Sequence, residues 1–144
     1  MRSIPTVAAL IIALAVAGAA YAGRPTAPPP KVSGVAAVPP QAWVESGSRS
    51  TWAAFGSYCW KTVCADMLPP AGRPDLPVLH AARGALVRLH LGFAPRSATL
   101  TVGGSKPVVL HPKGTVLTWR TRAGIADIAV KAAGGSASYL VRIR

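Results

Sequence analysis

Ala85-Leu86-Val87-Arg88-Leu89-His90-Leu91-Gly92-Phe93 is the stretch that decides the fold. In an extended chain Ala85, Val87, Leu89, Leu91 and Phe93 fall on one face. Leu86, Arg88, His90 and Gly92 fall on the other. A period of two marks a β-strand with one face in a core and the other towards solvent.

The pattern spreads in both directions. Residues 98–102 repeat the alternation, and Gly103-Gly104 ends it with a turn. Residues 107–111 read as a short edge-like strand before a turn at Pro112-Lys113-Gly114. Residues 115–121 place Leu117 and Trp119 on one face and Arg120 and Arg122 on the other. Residues 125–131 group Ala126, Ile128 and Val130. Residues 136–144 put Tyr139, Val141 and Ile143 inward and Leu140, Arg142 and Arg144 outward. Towards the N-terminus, 41–45 and 51–60 are further strand candidates, the second broken at Gly56, with a turn at Gly47, Ser48 and Ser50. Residues 68–77 hold Pro69, Pro70, Pro74 and Pro77 around Gly72, a density that predicts a crossover loop.

About seven to nine short strands with turns every 8–12 residues predict an all-β domain over 42–144. The expected architecture is an immunoglobulin-like antiparallel β-sandwich. The run Gly135-x-Ala137-x-Tyr139-x-Val141-x-Ile143 resembles the last strand of many extracellular bacterial sandwich modules. That resemblance covers one strand and implies an exported envelope domain.

The N-terminal part reads differently. Met1-Arg2, an apolar run over 4–20 and the small-x-small motif Ala20-Tyr21-Ala22 have the layout of a secretory signal peptide, residues 1–22, with cleavage before Gly23. The alternative is an uncleaved membrane anchor. Residues 23–41 carry Pro25, Pro28, Pro29, Pro30, Pro39 and Pro40, and read as a disordered, proline-rich linker. The expected location is therefore secreted, extracellular or periplasmic.

Sixteen Lys and Arg stand against four Asp and Glu, a formal net charge of +12. Such a field attracts polyanions. For an exported chain these are anionic lipid, wall polymer or polysaccharide of the cell envelope, or an envelope protein. Export argues against nucleic acid. Arg88, Arg120, Arg122, Arg142 and Arg144 all fall on the polar side of their strands, and guanidinium forks bind phosphate and carboxylate in bidentate fashion. Together they would make a basic strand face.

Cys59 and Cys64 are the only cysteines. In an exported chain they predict one disulfide. It would clip a short loop presenting Trp60 and Lys61 to a partner.

Catalysis is poorly provided for. No Gly-x-Ser-x-Gly elbow occurs, and four scattered carboxylates do not suit a paired-carboxylate hydrolase. His90 and His111 could meet as ligands of copper or zinc if their strands were neighbours in one sheet. Secreted β-sandwich copper carriers, however, use an N-terminal histidine and a methionine-rich segment. Here the expected new terminus is Gly23, and Met67 is the one methionine after Met1. The expectation is a non-enzymatic module without cofactor or metal that binds an anionic envelope surface. The alternative is a metal carrier or small enzyme using His90 and His111.

Overall fold

The structure, a computed structural model, describes residues 22–32 and 37–144. The apolar run over 4–20 lies outside the described residues. Eleven strands follow in order: β1 (Trp43–Ser46), β2 (Arg49–Trp52), β3 (Ala54–Trp60), β4 (Val63–Ala65), β5 (Val78–Leu79), β6 (Leu86–His90), β7 (Ser97–Val102), β8 (Val108–Leu110), β9 (Val116–Arg120), β10 (Gly124–Ala132) and β11 (Gly135–Ile143).

They form two sheets. One has four strands in the order β2-β1-β6-β9; the other has seven, in the order β4-β3-β11-β10-β7-β8 with β5 beside the end of β11. Neighbours are antiparallel except the short parallel pair β5–β11. The longest ladder joins the nine-residue strands β10 and β11 across the turn at Ala133-Gly134, from Ala132↔Gly135 to Gly124↔Ile143.

The period-two reading of residues 85–93 holds. Val87 and Leu89 lie fully inside the core, while Arg88 and His90 lie on the outer face. Val44, Val87, Leu89, Leu117 and Trp119 from the four-stranded sheet meet Leu100, Ile128, Val130, Tyr139, Val141 and Ile143 from the seven-stranded sheet. Each such aliphatic side chain contributes about 1.5–3 kcal/mol by leaving water. Tyr139 can be buried because its hydroxyl donates to Pro40 O at 2.7 Å. Left without a partner, that hydroxyl would cost about 1–3 kcal/mol.

A second, smaller cluster sits on the outer face of the seven-stranded sheet. Leu140, Ala54 and Leu76 pack there with Ile125. The proline-rich crossover supplies Leu76 and covers them, and contains one 3-10 turn at Pro70–Gly72. Arg73 fixes this crossover: Nη1 donates to Phe55 O at 2.9 Å, and Nε and Nη2 clasp Asp75.

Three features differ from the expectation. Among the described residues the strands number eleven rather than seven to nine, because a disulfide hairpin adds β4, the end of the crossover adds β5, and the stretch expected as one strand over 51–60 divides into β2 and β3. The break in 51–60 falls at Ala53, not Gly56. At Ala53 the chain leaves the four-stranded sheet and enters the seven-stranded one. Gly56 instead lies within β3, where a Cβ would collide with the Ser138 side chain of β11. Glycine here serves close strand approach, and it falls at the register irregularity between β3 and β11, where Gly56 and Ser57 lie opposite Ser138.

Candidate functional site

The five expected arginines do not form one face. Val87, Leu89, Leu117 and Trp119 point into the core, so Arg88 and Arg120, on the same strands at odd spacing, point out from the four-stranded sheet. Arg142 points out from the opposite layer, where its cross-strand partners are Ile125 and Val78. Two sheets packed on one core show their outer faces in opposite directions. Arg142 is therefore separated from Arg88 and Arg120. Strand order made this split, and alternation within single strands carries no information on it.

Arg122 and Arg144 do come together, at one end of the two-sheet body. Arg122 follows β9, Arg144 follows β11, and Arg83 lies in the loop between β5 and β6. All three line one cleft of about 390 Å³ with Ala81, Thr121, Ala123 and Ile143. Arg120 borders the same end, its Nη1 3.4 Å from Gly84 O. Among the described residues no Asp or Glu side chain lines this cleft. Of the four acidic residues, Asp75 binds Arg73 and Glu45 meets His90. Asp127 lies mid-strand in β10, and Asp66 follows β4.

The walls of the cleft are held by backbone bonds. Arg144 N donates to Leu79 O at 3.1 Å, and Ala81 N donates to Arg144 O at 2.9 Å. Thr121, almost fully buried, donates its hydroxyl to Ala82 O at 2.5 Å, and its N–H to Ala85 O. These bonds tie the β5–β6 loop to β9 and β11 and bring Arg83 towards Arg122 and Arg144. Guanidinium groups gathered without acidic side chains among them repel one another, and a phosphate, sulfate or carboxylate placed among them relieves that repulsion. Arg83 was missed from the sequence because it lies in a loop and not on an alternating strand.

The cysteines pair as expected. Cys59 and Cys64 are cross-strand partners in β3 and β4 and form a disulfide. Lys61 takes the left-handed conformation at φ 54°, and its N–H donates to Gly134 O at 2.7 Å. Of the loop residues expected to face a partner, Lys61 is exposed. Trp60 is not: it is 7% exposed and packs on Phe93, with ring centroids 5.0 Å apart. A Cβ at Gly134 would come 2.5 Å from Trp60 Cζ2, so the turn above the indole needs glycine.

His90 and His111 stand on strands of different sheets, β6 and the end of β8. The condition for their meeting as metal ligands is thus not satisfied. His90 is stacked on Trp43, and its Nε2 lies 2.9 Å from Glu45 Oε1. Among the described residues no group of three or more His, Cys, Asp or Glu could hold a metal ion.

Two tryptophans, Trp119 and Trp52, behave differently. Trp119 is core. Trp52 is buried, but on the outer face of the four-stranded sheet, opposite Trp43 in register. What covers it is the N-terminal stretch 22–32: Trp52 Nε1 donates to Ala27 O at 2.7 Å, and the Arg24 guanidinium lies 4.9 Å from the ring centroid.

The fold and the site together define a two-sheet, disulfide-clipped all-β domain with an arginine-lined end. No protein-family model, no curated protein and no solved structure matches this chain. Among the described residues no helix is long and apolar enough to cross a membrane, and the disulfide is compatible with an oxidising extracellular compartment.

Proposed function

We propose that the protein is an exported, non-catalytic module of immunoglobulin-like architecture that binds an anionic component of the cell envelope. The binding element is the arginine-lined end rather than a flat strand face. The observation that carries this reading is the convergence of Arg83, Arg122 and Arg144 on one cleft with no acidic side chain in its lining. The net charge of +12 supports it, because long-range attraction brings a polyanion to the surface before the cleft orients it. Export rests on the residue pattern of 1–22 and on a disulfide that persists in oxidising compartments.

Binding to heparin and to vesicles containing phosphatidylglycerol, measured across a salt series, tests the reading. Affinity should fall steadily with added salt, because exposed charge pairs are screened. Arg122→Glu with Arg144→Glu should lower affinity at least tenfold, and Arg142→Glu on the opposite layer should lower it less. Absence of binding to both probes at low salt, or equal losses for the two sites, would overturn the proposal.

A further inference from the structure

Residues 23–32 belong to the segment expected as a linker, and Ala22 closes the segment expected as a signal peptide, yet both are held by the domain at defined points. Ala22 N donates to Gly47 O at 2.9 Å, at the turn between β1 and β2. From there the segment passes over Trp52. Arg24 lies over the indole, and Ala27 O accepts from the indole Nε1. Three residues on, Pro30 O accepts from Gln41 Nε2 at 2.8 Å. The two carbonyls bracket Pro28-Pro29-Pro30.

A polyproline II helix repeats every three residues and has no internal hydrogen bonds, so carbonyls three apart face one side and need outside donors. Trp52 and Gln41 supply such donors at that spacing. A cation over the indole face adds a third contact, worth more where water is excluded. An aromatic ring plus side-chain donors to the carbonyls of a proline-rich strand is a known physical solution for binding a ligand already ordered before it docks. Beyond Pro30 the segment borders a cleft of about 530 Å³, which Phe55, Met67 and Arg73 line from the other side.

We propose that Gln41 and Trp52 form a docking site for a proline-rich segment carrying an arginine three residues before its first accepting carbonyl. Residues 24–30 of this chain are its resident occupant. The site takes main-chain carbonyls and one cation, and because the segment bends at Arg24, Thr26 and Ala27, the extended conformation it selects is that of Pro28-Pro29-Pro30. Its ligand class differs from the anion proposed for the arginine-lined end, and the two sites fail independently.

The test uses the full chain and a fluorescent peptide, Arg-Pro-Thr-Ala-Pro-Pro-Pro-Lys. The parent should bind this peptide weakly, because the resident segment competes at an effective concentration of about millimolar. Replacing Pro28, Pro29 and Pro30 with glycine in the chain should loosen the resident and tighten peptide binding at least tenfold. Adding Trp52→Phe or Gln41→Ala to that variant should weaken the peptide at least fivefold. No binding to the loosened chain at millimolar peptide, or binding indifferent to both substitutions, overturns the proposal. Independently of any variant, the Trp52 indole N–H of the parent should exchange with solvent at least tenfold more slowly than an exposed indole. Free exchange there also overturns it.

Discussion

The Trp43 indole and the His90 imidazole lie face to face, ring centroids 3.8 Å apart and 4° from parallel. They are register partners in β1 and β6, 47 residues apart in sequence. The same imidazole meets Glu45, whose carboxyl is buried at 4% exposure with Oε2 unpartnered. One ring thus caps an indole and partners one oxygen of a carboxyl buried in a sheet face.

His90→Ala removes both contacts and strands the Glu45 carboxyl. The expected loss is about 1–3 kcal/mol, the cost of leaving a buried polar group unpaired. Urea unfolding measures it. Glu45→Gln in the His90→Ala background should recover part of the loss, since an amide is less costly to bury than a carboxylate. An unchanged midpoint for His90→Ala would show that the pair contributes nothing.

Tyr139 is buried to zero exposure, and burial holds its hydroxyl well above the ordinary phenol range, whose reference is 10.0. The unfolded chain therefore loses this proton first as pH rises. The contribution of Tyr139 is fully present below pH 10.0 and declines above it. Stability should fall above that pH by up to about 1.4 kcal/mol per unit from this group. Tyr139→Phe should abolish that component, and at neutral pH should cost about 0.5–1.5 kcal/mol through the bond to Pro40. Unfolding series at pH 8 to 11 would be compared between the two proteins.

Asp127 lies on β10 between Thr101 and Leu140, with Oδ1 buried and unpartnered. Desolvation pushes its carboxyl above the usual range. For an acid shifted upward the neutral form is favoured by folding. Its stabilising contribution is present at low pH, below the unfolded value, and is lost as pH rises through the folded value. Asp127→Asn should accordingly raise the urea midpoint at pH 7 and leave it little changed near pH 3. The reverse order would show that the carboxylate has a partner in solution.

Reduction of Cys59–Cys64 opens a ring of only six residues. Chain-entropy arithmetic for so short a loop gives about 2 kcal/mol. The hairpin is also held by Lys61 N–H on Gly134 O and by the packing of Trp60. The Cys59→Ser, Cys64→Ser variant should therefore fold, with a lower midpoint and an intact near-ultraviolet signal from Trp60. Global unfolding of that variant would contradict this assignment.

Much of the fold was legible because burial follows side-chain period. Residues 85–93, 98–102 and 136–144 sorted correctly into inner and outer faces, and the glycine turn at Gly103-Gly104 fell where a strand ends. What stayed hidden depends on which strands become neighbours. Arg88 and Arg142 share an alternation but sit in different sheets. Trp52 carries an apolar ring, yet its cover is a proline-rich stretch that composition alone reads as linker. The His90–Glu45 contact joins residues 45 apart and leaves no local mark. At the arginine-lined end, Arg122 and Arg144 were identifiable by type, while Arg83 came to the cleft through a loop.

The change of sheet at Ala53 has a kinetic consequence. A single covalent run leads from β2 in one layer to β3 in the other, and both β2 and β3 are hydrogen-bonded within their sheets. Peeling either layer away pulls directly on the other. Partial opening is thereby penalised, and thermal melting should proceed as one transition observed alike by tryptophan fluorescence and by far-ultraviolet dichroism. A chain that opens only as a whole offers a protease few intermediate substrates.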